Sequence, residues 1–189
     1  MADITSESPT GRRNQRSTTG ANLPPAAAQK PADAAAVDDL VLWTELLFFA
    51  YREFTAGPDA ILEEYGFGRA HHRVLHFVHR NPGLRVADLL EVLKITKQSL
   101  ARVLKQLIDK GFIMQKAGND DRRERRLFVT AKGARLADKL TALQTKRIEA
   151  ALSKAGPAAR EHARRFLFAM IGESDRPRME ALLKLPAAT

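Results

Sequence analysis

Residues 86–111, VADLLEVLKITKQSLARVLKQLIDKG, hold two short helical patterns joined by Lys94-Ile95. Leu89, Leu90 and Leu93 of the first pair it against the second. Thr96 stands where an N-cap is needed, since its hydroxyl can accept one of the unpaired amides of a first turn. Gly111 stands where the chain stops in a left-handed conformation. At about 100° per residue, Gln98, Ala101, Arg102 and Lys105 fall within about 100° of one another. Leu100, Val103, Leu104 and Leu107 lie opposite. The apolar face docks the helix, and the other face is polar, basic and free of acids between residues 97 and 108. Such a face suits the major groove of DNA. Gln can bridge the N6/N7 edge of adenine and Arg the O6/N7 edge of guanine. Small Ala101 permits close approach, and Lys97 and Ser99, near the positive end of the helix, can reach phosphates. A solvated surface helix would share this pattern, so its neighbours carry the distinction.

Downstream, FIMQKA (112–117) and RRLFVT (125–130) have strand composition and flank a polar turn, the pattern of a β-hairpin. That turn and the start of its returning strand pack three acids and four arginines into residues 120–126. Between residues 96 and 126 nine basic side chains stand against four acidic ones, more than half of the whole chain's excess. Upstream, GRAHHRVLHFVHR (68–80) reads as a short helix ended by Asn81-Pro82-Gly83. Short helices followed by a hairpin make a winged helix-turn-helix. A long helix fits Ala131 to about Ala155, with Leu136, Leu140, Leu143 and Ile148 near helical spacing and Gly156-Pro157 as its end. ARRFLFAMI and MEALLKL form a last helical region.

Toward the N-terminus, DDLVLWTELLFFAYREF (38–54) is apolar nearly all round, so a helix there is expected to be buried on several sides. Gly57-Pro58 is expected to kink or interrupt it, and a second part reaches Tyr65. Residues 1–36, rich in Pro, Ala, Ser and Thr, read as a disordered tail. Arg12, Arg13 and Arg16 in that tail can touch DNA phosphates. The expected fold is mainly α with a small β-hairpin wing: a tail (1–36), an N-terminal helix of a dimerisation region (37–66), a winged helix-turn-helix DNA-binding domain (67–131) and C-terminal helices of the dimerisation region (132–189).

The 189-residue chain carries a formal net charge of +9 with a pI near 10.2, which suggests an acidic partner. It has no run apolar enough for a membrane span and no signal-like N-terminus, so a cytoplasmic, nucleoid-associated protein is expected. The absence of cysteine rules out disulfides, thiol switches, Cys-based zinc sites and a Cys nucleophile. No Ser-centred nucleophile elbow, phosphate loop or HExxH is present, so neither an enzyme nor a cofactor is expected.

The stretch from Val86 to Ile113, followed by DRRERRLFVTAKG, resembles the MarR family of bacterial transcription regulators, and the likeness extends over roughly residues 38–185. That family's wing pattern is an Asp-Arg-Arg run, an apolar stretch, then Thr and Gly opening the next helix. Asp121, Arg122, Arg123, Leu127, Val129, Thr130 and Gly133 fill those places. The resemblance implies a homodimer whose N- and C-terminal helices intertwine above two winged domains. It also implies double-stranded DNA as partner, with Arg123 entering the minor groove and Asp121 holding its guanidinium. With Arg122 and Arg125 these form the expected wing contacts. Recognition helices of a two-fold dimer would lie about 34 Å apart on a pseudo-palindrome. The family's common Ser-Pro-Ser-Thr opening is here Thr96, Lys97, Gln98 and Ser99. That departure bears on base preference and not on docking.

Regulators of this kind respond to a small effector, often an aromatic carboxylate, between the dimer helices and the winged domain. His72, His76, Trp43 and Phe49 are the pocket candidates, although aromatic residues at helical spacing also suit a plain core. His72, His76 and His79 share one helical face within about 60°. The spacing of His72 and His76 is compatible with one metal ion, yet a polar face packed beside neighbouring helices explains it equally simply, and no metal is assigned. His71 lies on the apolar flank. Two functional readings stand: a ligand-responsive DNA-binding repressor, and a winged-helix module that binds protein or RNA without reading DNA sequence.

Overall fold

The computed structural model describes residues 31–118 and 124–183, with side chains from residue 37 onward. Two compact units divide the chain, residues 1–43 and 44–189. In the first, the described residues belong to the start of helix α1 (Pro31–Glu63). Pro31 takes the first helical position, where a missing N–H leaves nothing unpaired, and the alanines behind it favour helix. The helix therefore begins ahead of the start near 38 read from the sequence, and of the expected tail only 1–30 lie outside the described residues. Val37, Leu40, Val41, Leu42 and Trp43 are exposed.

In the second unit α1 runs on to Glu63, and the interruption expected at Gly57-Pro58 does not occur. Pro58 removes one backbone donor. Pro58 is, however, buried on the same face of α1 as Thr55 and Leu62. The Thr55 hydroxyl also donates to the carbonyls of Tyr51 and Arg52 at 3.1 and 3.2 Å.

Helix α2 (Arg69–Arg80) is the centre of the core, with His72, Val74, Leu75 and Val78 buried. His71 caps its start: Nδ1 accepts from the Gly68 amide at 3.1 Å. The proton must then sit on Nε2, which faces Gln106 Oε1 of the fourth helix. After α2 come β1 (Leu84–Arg85), α3 (Val86–Leu93), α4 (Lys97–Asp109), β2 (Ile113–Ala117), β3 (Arg125–Val129), α5 (Ala131–Ala155), α6 (Ala159–Ala169) and α7 (Arg176–Leu183). A 3-10 turn at Glu173–Asp175 precedes the last helix. The sheet is antiparallel, in the order β1-β3-β2. Strand β1 was not legible in the sequence, since two residues are too short to show alternation.

Core side chains run from Leu62 through α2, α3 and α4 to Leu140 of α5, including Leu89, Leu100, Leu107, Phe112 and Leu127. Each such leucine contributes about 1.5–3 kcal/mol relative to exposure. The all-round burial expected for residues 38–54 is not reached within this chain. Leu46, Phe48, Phe49 and Tyr51 of α1 stay exposed, as do Leu143, Ile148, Phe166, Leu167 and Met170 of α5, α6 and the turn after it.

Candidate nucleic-acid interface

Helix α4 starts where its chemistry predicts. The Thr96 hydroxyl accepts from the Ser99 amide at 3.1 Å and lies 2.9 Å from the Ser99 hydroxyl. Gly111, at φ +72°, turns the chain out of the helix. Leu100, Val103, Leu104 and Leu107 are buried, while Lys97, Gln98, Ser99, Ala101, Arg102 and Lys105 are exposed. The two-faced helix is therefore realised residue by residue. One difference appears at its end: Lys105 Nζ pairs with Asp109 Oδ2 at 2.6 Å, one turn on. The acid-free span ends just before Asp109, so one cation of the expected groove-facing side is already paired within its own helix. Lys97 and Arg102 make no ion pair among the described residues.

The angle between α3 and α4 is set by the turn at Lys94, a non-glycine residue at φ +51°. The Arg73 guanidinium of α2 donates to the Leu93 carbonyl at 3.2 Å and ties that turn to the core. A groove of about 730 Å³ runs between the two helices and Gln115 of β2, with Val86, Leu90, Ala101 and Leu104 among its walls. The start of α3, the exposed face of α4 and the sheet thus border one another.

Of the wing residues, Asp121, Arg122 and Arg123 lie outside the described residues. Arg125 is exposed at the start of β3, opposite Ala117. Register and alternation place Leu84, Leu127 and Gln115 in one row and Arg85, Arg126 and Lys116 in the next. Because Leu127 is fully buried, the three cations project from the outer face. Two carboxylates interleave with them. Asp88 takes Arg85 bidentately, at 2.7 Å from Nε and 2.6 Å from Nη2. Glu124 takes Arg126 Nε at 2.7 Å and lies 3.7 Å from Arg85 Nη1. This pairing holds the Asp88 carboxyl below and the Arg85 guanidinium above their ordinary values, the hydrogen bond between them being the largest cause of each. Lys116 sits over the Phe128 ring, 5.1 Å from its centroid. From the sequence Lys116 counts only toward the basic excess and Glu124 only as an acid that moderates repulsion among the wing arginines, while Arg85 is not singled out. The only signal was an Arg-x-x-Asp spacing at the start of α3.

Thr130 and Gly133 join the wing to α5. The Thr130 hydroxyl accepts from the Gly133 amide at 3.1 Å and donates to the Gly111 carbonyl at 2.7 Å. One residue thus caps α5 and fastens the wing's returning strand to the end of α4.

The histidine face does not converge. His72 turns into the core, where burial first, then His76, holds its imidazole below the ordinary value. His76 is lowered by burial and by Arg80. His79 instead reaches α5, with Nε2 2.9 Å from Asp138 Oδ1. Among the described residues no three His, Asp or Glu side chains form a metal-holding group. Phe49 lines an apolar cleft of about 660 Å³ with Leu46, Phe54, Arg147, Ile148 and Leu167, and neither His72 nor His76 borders it. His72 lies near Asp59, about 15 Å further along α1 at 1.5 Å per residue. Trp43 belongs to the other unit. No helix among the described residues is long and apolar enough to cross a membrane.

A sequence model of the MarR family matches residues 65–124, which span α2 to the foot of β3. Over 138 residues the chain is 49% identical to the HTH-type transcriptional regulator PetP of Rhodobacter capsulatus, covering 73% of this chain and 83% of that one. The crystal structure of MarR superposes with a TM-score of 0.57 at 21% identity, over 87% of this chain and 99% of the other. A MarR transcriptional regulator from Methanosarcina mazei gives 0.56 at 24% identity, over 68% and 86%. At those identities the structural likeness speaks for the fold.

Proposed function

The chain belongs to the MarR family, and from that premise we propose that it is a homodimeric, sequence-specific DNA-binding transcription regulator, a repressor modulated by a small effector. The observation that carries this reading is the outer face of α4. Gln98 and Arg102 stand exposed beside small Ala101, with Lys97 at the positive end of the helix and the apolar side fully engaged in the core. Those side chains have the donors and acceptors that tell base pairs apart in the major groove. Residues 67–131 read the DNA. Residues 37–66 and 132–189 supply the dimer contacts, as the exposed apolar side chains of α1, α5 and α6 favour. The wing arginines Arg122, Arg123 and Arg125 add flanking contacts, with Asp121 orienting Arg123. An aromatic carboxylate is the effector class, following the family resemblance.

The test is selection of genomic fragments by the purified protein, followed by footprinting. A protected pseudo-palindrome with half-sites about one DNA turn apart is expected. Arg102→Ala should weaken binding to it by about 1–3 kcal/mol and relax the base preference at one position per half-site. Equal affinity for every duplex, with no protected site, would sink the proposal in favour of a protein- or RNA-binding module.

A further inference from the structure

The outer face of the sheet poses an electrostatic problem. Arg85, Arg126 and Lys116 lie side by side across three strands, and like charges placed opposite one another push strands apart. The row sits at the neck of the β2–β3 hairpin, which the Gly118 amide closes by donating to the Glu124 carbonyl at 3.0 Å. The Glu124 side chain leaves that neck sideways. One oxygen takes Arg126 within β3 and the other faces Arg85, which Asp88 in turn holds to the first turn of α3. A chain of alternating charge thus runs from α3 through β1 to the hairpin. A two-stranded hairpin is marginal alone, and the approach of Glu124 to Arg85 ties its neck to β1 and, through Asp88, to the first turn of α3.

We propose that Glu124 and Arg85 are positioning residues, a clamp that fixes the neck of the β2–β3 hairpin against β1 and α3 and so aligns the hairpin with the DNA engaged by α4. The clamp rests on the reading that this hairpin touches DNA. Its contribution is pre-organisation: a hairpin already aimed loses less freedom when it binds. Exposed ion pairs add little stability, so the effect appears in DNA recognition and not in folding.

Charge makes the test decisive. Glu124→Gln removes an acid beside a polyanion, so electrostatics alone would raise DNA affinity. The clamp requires the opposite, a loss of about tenfold, the size of one well-aligned contact. The probe is the duplex that wild-type protein selects from a random-sequence pool, compared with the same duplex shortened to the base pairs protected by α4. Glu124→Gln should lose affinity only on the full duplex, with its flanking footprint weakened. Arg85→Lys keeps the charge but cannot form the bidentate fork, and should show the same flank-confined loss even if the first variant folds poorly. Affinity unchanged or higher on the full duplex, or an equal loss on both duplexes, overturns the clamp. A wild-type footprint with no flanking protection overturns the hairpin reading itself, and the clamp with it.

Discussion

Gly133 shows how a single residue records tertiary structure. A Cβ built there would lie 2.0 Å from the Phe112 carbonyl oxygen, a backbone atom with no room to yield. The glycine sits in the first turn of α5, where its backbone conformation is ordinary, so close approach and not torsion is what demands it. Gly133→Ala should destabilise the fold by about 1–3 kcal/mol, as overpacking does; chemical denaturation of the variant checks this. His72 makes a different residue-scale prediction. Its folded value lies below the ordinary 6.5, with burial as the main cause and Asp59 opposing. His76 is displaced the same way. The unfolded chain therefore takes up protons that the folded chain refuses. This contribution to stability is complete above about pH 6.5 and is lost as pH falls through the lowered folded values. The unfolding temperature should drop from about pH 7 to about pH 5, and His72→Gln should flatten that slope. An equal slope in the variant would assign the acid sensitivity elsewhere.

Among the elements, α4 was the most legible and β1 the least. Helix α4 announces itself through Thr96, an amphipathic period and Gly111, all of which act within a few residues. Removing the cap leaves the Ser99 amide without its partner, so Thr96→Ala should cost about 1 kcal/mol in denaturant unfolding. It should also weaken DNA binding, because the first turn carries Lys97 and Gln98. Strand β1 becomes a strand only because Leu84 meets Leu127 and Arg85 meets Arg126. Helix α1 taught the converse lesson at Pro58. A local rule that allows a break there did not interrupt the helix, in which Pro58 is buried on the face it shares with Thr55 and Leu62.

At the scale of the whole molecule, the exposed apolar side chains decide what remains. Phe48 is 70% exposed and Leu167 56%, and α6 buries none of its side chains within this chain. Stable protein interfaces bury about 1,200–2,000 Å² in total, and a second copy of the chain is the proposed cover. Phe48→Glu should therefore shift sedimentation from dimer toward monomer. Affinity for a two-half-site duplex should fall by about a hundredfold or more as the benefit of joined sites is lost. A variant that stays dimeric would move the interface elsewhere.

The helices, their caps, the basic face of α4 and the hairpin were written in the sequence, because periodicity, capping and turn chemistry operate over a handful of neighbours. The wing-to-α5 joint was visible only as a Thr-Gly spacing. The structure supplied its reason, Thr130 reaching back to Gly111 and Gly133 pressed against the Phe112 carbonyl. The dispersal of the histidines and the Arg85–Glu124 clamp had no sequence signature. Each depends on which residues, dozens of positions apart, the packed core brings to within a few ångströms, and only tertiary structure sets those distances.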